Sequence, residues 1–197
     1  MFIAFEGPDK TGKSTSAATL AHDNIGLYNV TKSMHARQQE EVGIYPDYIP
    51  VTYDRIDWFS HMVYRLAMPN HEWNDDRPRT VFAMPDTHLV VKLHAPETVH
   101  AIKDELYDAG SPLVAVNEMY FYQTNFLIEM NKRTNYSLFR SISLVEVYSN
   151  FVTKEFSQRW IRLDSPVIDE TGIDAAFYTD DYLMTVLREE EHLSLRN

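Results

Sequence analysis

The segment Gly7-Pro8-Asp9-Lys10-Thr11-Gly12-Lys13-Ser14 follows the apolar stretch MFIAFE and precedes the sequence STSAATLAH at residues 14–22. It fits the pattern G-x-x-x-x-G-K-[S/T], the phosphate-binding loop of nucleoside triphosphate enzymes. The flanking segments predict a buried strand before the loop and a helix after it. In that arrangement the glycines permit close backbone approach, and successive N–H groups at the helix N-terminus face the phosphates. The sequence therefore predicts a nucleoside triphosphate site.

The side chains of this loop have distinct expected roles. Lys13 is expected to reach the β- and γ-phosphates, and the Ser14 hydroxyl to ligate Mg²⁺. The residues expected to bind the nucleotide cofactor are Gly7, Pro8, Asp9, Lys10, Thr11, Gly12, Lys13, Ser14 and Thr15.

Composition restricts the class of protein. A chain of 197 residues with 44% hydrophobic residues is long enough for one domain with a single core. Cysteine is absent, which excludes disulfides and thiolate metal sites and suits a reducing compartment, so we expect a cytoplasmic protein. Because the first predicted strand leads directly into the loop, we expect no signal peptide, and no apolar run approaches the ~18 residues that cross a membrane.

The charge balance favours a small ligand. The formal net charge is −11, with 18 Lys and Arg against 29 Asp and Glu. Proteins that bind polymeric nucleic acid usually present a basic face, so we expect free nucleotides as partners and no nucleic acid.

Strand and helix patterns alternate along the chain. Strands are predicted at residues 1–6, 26–31, 49–53, 88–94 and 136–142, with a further short strand at 160–163. Helices are predicted at 14–22, 58–68, 96–107, 117–131, 143–155 (with Ser143 as its N-cap) and 180–192. The aromatic cluster at residues 120–122 with Phe126 is expected in the core. This alternation predicts a parallel sheet with helices on both faces and a ligand at the carboxyl ends of the strands.

Asp54 and Arg55 end the third predicted strand, at the same sheet edge as the phosphate loop. An acidic residue there can hold Mg²⁺ or order its waters, and an arginine can bind an acceptor phosphate. Ser14 and Asp54 are therefore the candidate metal residues.

The chain resembles the thymidylate kinases at residues 1–20 and 50–157. The likeness is carried by three segments: Phe5-Glu6-Gly7-x-Asp9-x-x-Gly12-Lys13-Ser14-Thr15, then Tyr53-Asp54-Arg55 with Ser60 and Tyr64, then Pro85-Asp86 and Ala95-Pro96-Glu97. The resemblance implies a three-layer P-loop kinase fold with a five-stranded parallel sheet in the order 2-3-1-4-5. It also implies transfer of a phosphoryl group from ATP, with Mg²⁺, to a deoxynucleoside 5′-monophosphate (thymidylate or a 5-substituted pyrimidine analogue) in nucleotide biosynthesis.

The resemblance also assigns roles to residues. Asp9 would contact the sugar and α-phosphate region of the acceptor, Arg55 would bind its phosphate, and Lys10 lies where some family members carry a catalytic arginine. The candidate catalytic residues are thus Lys13, Lys10, Asp9 and Arg55. The candidate substrate-binding residues are Asp9, Lys32, Arg37, Asp54, Arg55, Trp58, Phe59, Ser60 and Tyr64, with Trp58 and Phe59 expected beside the acceptor base.

The sequence departs from the family in several places, among them the lid and the end of the fourth strand. The predicted lid, residues 102–117, contains no arginine, so Lys10 or Lys103 would neutralise the transferred phosphoryl group. The fourth strand ends in Lys92-Leu93-His94, where family members commonly carry Leu-Asp. We expect a kinase domain at 1–157 and a C-terminal extension at 158–197 packed on it, with a homodimer as a possible assembly.

Two alternatives stay open. One is a deoxynucleoside kinase that phosphorylates a 5′-hydroxyl, and the other is a P-loop protein that binds nucleotide without catalysis. A hydroxyl acceptor needs a general base, whereas a phosphate acceptor needs cations. Lys32, His35 and Arg37 follow the second strand with no carboxylate before Glu40, which favours a phosphate acceptor.

Overall fold

The computed structural model describes residues 2–23, 27–28, 51–73, 81–99, 112–150 and 155–164. Within these residues, one sheet is formed by β1 (Phe2–Glu6), β2 (Leu27–Tyr28), β3 (Val51–Asp54), β4 (Met84–His94), β5 (Phe139–Asn150) and β6 (Glu155–Asp164). The helices of the same residues are α1 (Lys13–Asp23), α2 (Asp57–Ala67), α3 (Pro96–Val99) and α4 (Pro112–Arg133).

The sheet has the strand order β2-β3-β1-β4-β5-β6. Its first five strands are parallel, with Phe5 of β1 opposite Asp54 of β3 and Glu6 opposite Val91 of β4. The predicted order 2-3-1-4-5 is confirmed. Strand β6 is an addition that pairs antiparallel with β5 at the edge of the sheet.

The helices lie on both faces of this sheet, as the side chains of β3 show. The hydroxyl of Thr52 donates to the carbonyl of Ala17 in α1 over 3.1 Å, whereas the next residue, Tyr53, belongs to the core that α2 and α4 form. Successive residues of a strand point to opposite faces. The residues of this core include Ala4, Tyr53, Ile56, Phe59, Leu89, Val91, Val116, Tyr120, Leu127 and Ile142. The predicted three-layer arrangement is therefore present.

The helix predicted from Ser143 to residue 155 is wrong. Residues 139–150 form β5, in which Ser143 pairs with Val90 on one side and Leu163 on the other. Side chains 141–147 are all buried, as expected of a strand with neighbours on both edges and both faces. The sequence LVEV at 144–147 supplies the β-branched residues that such a strand favours.

Helix α4 begins at Pro112, five residues before its predicted start, and β4 begins at Met84. The buried residues of α4 include Leu113, Val116, Tyr120, Thr124 and Leu127. Of the aromatic cluster expected in the core, only Tyr120 is buried, because Phe121, Tyr122 and Phe126 are 43%, 62% and 54% exposed. No helix in the described part of the chain has the length and apolarity that a bilayer span needs.

Strand β6 begins beside the phosphate loop, where the ring of Phe156 lies next to Gly12. The predicted strand 160–163 lies within it, and β6 continues across the predicted domain boundary at residue 157. The division into 1–157 and 158–197 stays a prediction. Residues 102–111 of the predicted lid lie outside the described residues, and residues 112–117 belong to α4.

We predict that Gly7→Ala is far more destabilising than Gly12→Ala. Gly7 has φ 135°, and an added Cβ would lie 1.9 Å from the carbonyl oxygen of Lys92 in β4. Gly12 has φ 77°, and its Cβ would lie 3.4 Å from the ring of Phe156. The expected losses in unfolding free energy, measured by urea denaturation, are about 3 kcal/mol or more for Gly7 and about 1 kcal/mol for Gly12. Equal losses would contradict the close approach of β1 and β4.

Candidate active site

The phosphate loop joins β1 to α1 and is closed by its own hydrogen bonds. Thr11 Oγ1 donates to the Pro8 carbonyl over 2.9 Å, and the backbone N–H of Ser16 donates to the Gly12 carbonyl over 2.9 Å. Lys10 has φ 66°, a left-handed conformation uncommon for a residue with a Cβ. The loop therefore has the curled backbone that aims N–H groups at an anion.

Lys13 lies inside this loop and is 5% exposed. Its Nζ donates to the Pro8 carbonyl over 2.5 Å and lies 3.4 Å from Thr11 Oγ1. Burial, followed by the charge of Arg55, lowers the pKa of Lys13 to about 7, against the opposing effect of three nearby carboxylates. The Lys13 ammonium group is thus bound by neutral oxygens of its own loop. A phosphate bound in the loop would give it a stronger counter-charge.

Ser14 and Asp54 form a pair of oxygen ligands suited to Mg²⁺. Ser14 Oγ donates to Asp54 Oδ2 over 2.6 Å, and Asp54 Oδ1 is buried with no hydrogen-bond partner. Hard oxygen ligands are those that Mg²⁺ prefers, and it usually completes its shell with waters and phosphate oxygens. Accordingly, the described residues contain no group of three or more His, Asp or Glu side chains placed to hold a metal by themselves.

Arg55 and Asp9 form an ion pair at the same edge of the sheet. Arg55 Nη2 lies 2.5 Å from Asp9 Oδ1, and the two side chains are 23% and 32% exposed. Arg55 has φ 82°, and its backbone N–H donates to the Phe5 carbonyl over 2.9 Å. The guanidinium lies over the Tyr64 ring, 5.9 Å from its centroid. Arg55 is thus held at backbone and side chain beside the phosphate loop.

Behind Arg55 lies Glu6, whose carboxylate has no exposed surface. It accepts hydrogen bonds from the Ile56 backbone, from Ser60 Oγ over 2.9 and 3.0 Å, and from Tyr120 OH over 2.9 Å. Burial raises the pKa of Glu6, while Arg55 and these hydrogen bonds oppose that rise. From the sequence, Glu6 has no predicted functional role, and Tyr120 is predicted only to lie in the core. The available signal was a charged residue at the end of a buried strand.

His94 ties the end of β4 to the loop. Its Nε2 lies 2.8 Å from the Asp9 carbonyl, and burial is the main cause that lowers the pKa of His94. A neutral ring whose Nε2–H donates to that carbonyl fits both observations. The Asn117 side chain of α4 holds the His94 backbone through two hydrogen bonds of 2.9 and 3.1 Å.

Lys92 adds a buried cation beneath the loop. Its ammonium donates to Ser16 Oγ in α1 and lies 5.8 Å from the ring centre of Phe5 and 5.9 Å from that of Phe156. Gly12 lies beside it, since a Cβ added there would be 4.0 Å from Lys92 Nζ. Two lysine ammonium groups therefore contribute positive charge to the loop, that of Lys13 within it and that of Lys92 beneath it.

The structure brings the predicted loop residues, Gly7 to Ser14, together with the predicted residues Asp54 and Arg55 at one edge of the sheet. Thr15 is exposed in the first turn of α1, and Ser60 lies behind Arg55. Lys32 and Arg37 lie outside the described residues.

Trp58 and Phe59 do not lie where a base could bind. They are 1% and 0% exposed, and they pack against Phe139 and Tyr120 with ring-centre distances of 6.2 and 5.7 Å. Because α2 turns these side chains toward the core, their predicted place beside the acceptor base is not supported.

The chain is similar to two thymidylate kinases of known structure. The enzyme from Candida albicans is 15% identical, with a TM-score of 0.42, over 74% of this chain and 82% of that one. The enzyme from Ehrlichia chaffeensis is 11% identical, with a TM-score of 0.32, over 95% of this chain and 98% of that one. No known family profile and no curated protein sequence matches the chain.

We predict that Mg·ATP binding takes up about one proton at pH 8. With a pKa of about 7, Lys13 is largely neutral there in the free protein, and a phosphate beside it raises its pKa and reprotonates it. Calorimetry at pH 8 in two buffers of different ionisation enthalpy should give different heats. At pH 6 the lysine is already charged, so the heats, corrected for Mg·ATP ionisation, should agree. Buffer-independent heats at pH 8 would contradict the lowered pKa.

Proposed function

We propose that this chain transfers the γ-phosphoryl group of ATP to a deoxynucleoside 5′-monophosphate, with thymidylate or a 5-substituted pyrimidine analogue as acceptor. The observation that carries the proposal is that a hydrogen-bonded pair and an ion pair lie at adjacent strand ends. Ser14 and Asp54 lie 2.6 Å apart at the donor side, and Asp9 and Arg55 lie 2.5 Å apart next to them.

The donor side of the site would hold ATP by its phosphates. The loop N–H groups and Lys13 would bind the β- and γ-phosphates, and Ser14 with Asp54 would hold Mg²⁺ directly or through water. The bound ion supplies charge neutralisation to the phosphate oxygens. Phosphoryl transfer requires mainly positioning and electrostatic stabilisation from the protein, which these groups provide without a covalent intermediate.

The acceptor side would hold an anion. Arg55 offers a planar guanidinium whose paired donors match a phosphate, and its Nη2 already binds one carboxylate oxygen. The acceptor phosphate would replace Asp9 on that nitrogen, which frees the Asp9 carboxylate to bind a sugar hydroxyl. This exchange favours a monophosphate over a neutral nucleoside as acceptor.

A deoxynucleoside kinase is the second candidate, and Asp9 is the observation that favours it. Its carboxylate is 32% exposed within the phosphate loop, so it is available as a general base for a 5′-hydroxyl. The Arg55 guanidinium at 2.5 Å opposes that role, because it engages the carboxylate oxygen a base would use. The retained Lys13 and Ser14 favour catalysis over nucleotide binding alone.

We predict that a deoxynucleoside monophosphate is phosphorylated faster than its own nucleoside. Arg55→Lys keeps the charge but loses the planar fork, so kcat/KM for the monophosphate should fall about tenfold to a hundredfold. The measurement is coupled ADP release with each common and 5-substituted deoxynucleoside and its monophosphate. Arg65→Lys, in α2 and outside the site, is the matched control. A faster reaction with the nucleoside, unaffected by Arg55→Lys, would make the chain a nucleoside kinase.

We predict that Lys10→Met lowers kcat while the KM for ATP stays nearly unchanged. Lys10 is an exposed cation in the phosphate loop, and an interaction made mainly in the transition state affects kcat rather than ground-state binding. Loss of one such charge typically costs about a hundredfold in rate. Lys132→Met, at the end of α4 in an ion pair with Asp164, is the control. A rise in the KM for ATP alone would assign Lys10 to nucleotide binding instead.

A further inference from the structure

The Arg55 guanidinium is held from two sides. On one side, Nη2 binds Asp9. On the other, Nη1 lies 3.4 Å from Ser60 Oγ and 3.5 Å from Tyr120 OH. An acceptor phosphate would compete with Asp9 for the first side and leave the second side as it is.

The two hydroxyls connect Arg55 to Glu6 in a defined direction. A carboxylate can only accept hydrogen bonds, and each hydroxyl carries one hydrogen. Ser60 Oγ and Tyr120 OH both lie 2.9 Å from Glu6 Oε2 and 3.1 Å from each other. When Glu6 is ionised, its oxygen is the stronger acceptor, and both hydroxyls donate to it. The lone pairs of the hydroxyl oxygens are then left to face the guanidinium. Ionised Glu6 therefore turns the two hydroxyls into acceptors for Arg55.

The hydroxyl of Tyr120 makes these polar contacts, whereas its ring packs against other aromatic rings. The side chain has no exposed surface, and its ring meets the edges of the Phe59 and Tyr64 rings at centroid distances of 5.7 and 6.2 Å. A phenylalanine would keep these ring contacts. The hydroxyl is thus separable from the packing of α4.

We propose that Tyr120, acting with Glu6 and Ser60, is a positioning residue that keeps the Arg55 guanidinium in place when the acceptor phosphate displaces Asp9. The inference rests on the proposed function. Without the hydroxyl network, a long arginine side chain released from Asp9 regains rotamer freedom, and ordering it again costs binding free energy. Tyr120 acts through Arg55 and does not itself touch the substrate.

The kinetic test compares Tyr120→Phe with Thr124→Val. Thr124 is buried one turn further along α4, where its hydroxyl donates to the Tyr120 carbonyl over 2.6 Å, so each variant removes one buried hydroxyl from the same helix. Tyr120→Phe should lower kcat/KM for the acceptor monophosphate about tenfold to a hundredfold, the usual effect of a hydrogen bond to a charged group. The KM for ATP should not change, and Thr124→Val should behave as wild type.

A second measurement follows the guanidinium directly. The order parameter of the Arg55 Nε–H bond, obtained by ¹⁵N relaxation on arginine-labelled protein, should be high in the wild type and in Thr124→Val. It should fall in Tyr120→Phe when a nucleoside monophosphate is bound. Arg55→Lys identifies the signal.

The two measurements separate this inference from the proposed function. If no monophosphate is phosphorylated but, in protein that also carries Asp9→Ala, the order parameter falls with Tyr120→Phe and not with Thr124→Val, the proposed function is wrong and the positioning role stands. The positioning role is overturned if the order parameter is unchanged in Tyr120→Phe or falls equally in Thr124→Val. It is also overturned if acceptor kinetics are unchanged while the guanidinium is released.

Discussion

A carboxylate without exposed surface at the carboxyl end of β1 is the constraint on which the site depends. Glu6 accepts hydrogen bonds from the Ile56 backbone, Ser60 and Tyr120, and so connects β1 to the segment after β3 and to α4. Burying such a charge is costly unless it is both paired and hydrogen-bonded. Arg55 supplies the counter-charge, which explains why an arginine with φ 82° is held at this position. The geometry of the acceptor side follows from satisfying Glu6.

The donor side depends in turn on how closely β1 and β4 approach. Gly7 lies against the Lys92 carbonyl, and the Lys92 side chain passes under the loop to Ser16. The Lys92 carbonyl thus lies directly against the start of the phosphate loop, and the Lys92 ammonium group adds a positive charge beneath the loop. His94, two residues on, holds the Asp9 carbonyl from the same strand. Lys92 and His94 therefore support the loop, although the end of β4 departs from the sequence pattern of the resembled family.

The parts of the fold that the sequence predicted are those encoded locally. The phosphate loop depends on its own glycines, and Asp54-Arg55 ends a short strand. Their spacing, with the strand order that the family resemblance implied, was enough to predict that they lie together. Contacts between distant segments were not predictable in this way. Ser143 resembles a helix N-cap, but pairing with two strands made it part of β5. Trp58 and Phe59 follow the charged pair, but helical rotation directs them into the core.

The contact between β6 and the phosphate loop affects the order in which parts of the site form during synthesis. Phe156 packs beside Gly12 and Lys92, so one wall of the phosphate loop is supplied by a strand that is translated much later than the loop. Contacts between residues so far apart in the sequence form late in folding, because closing the long intervening segment costs conformational entropy. During synthesis, the phosphate loop leaves the ribosome before β6 does, and it lacks the contact with Phe156 until β6 has been made. A shortened product that ends before β6 would carry the complete phosphate motif with one side of it open to water.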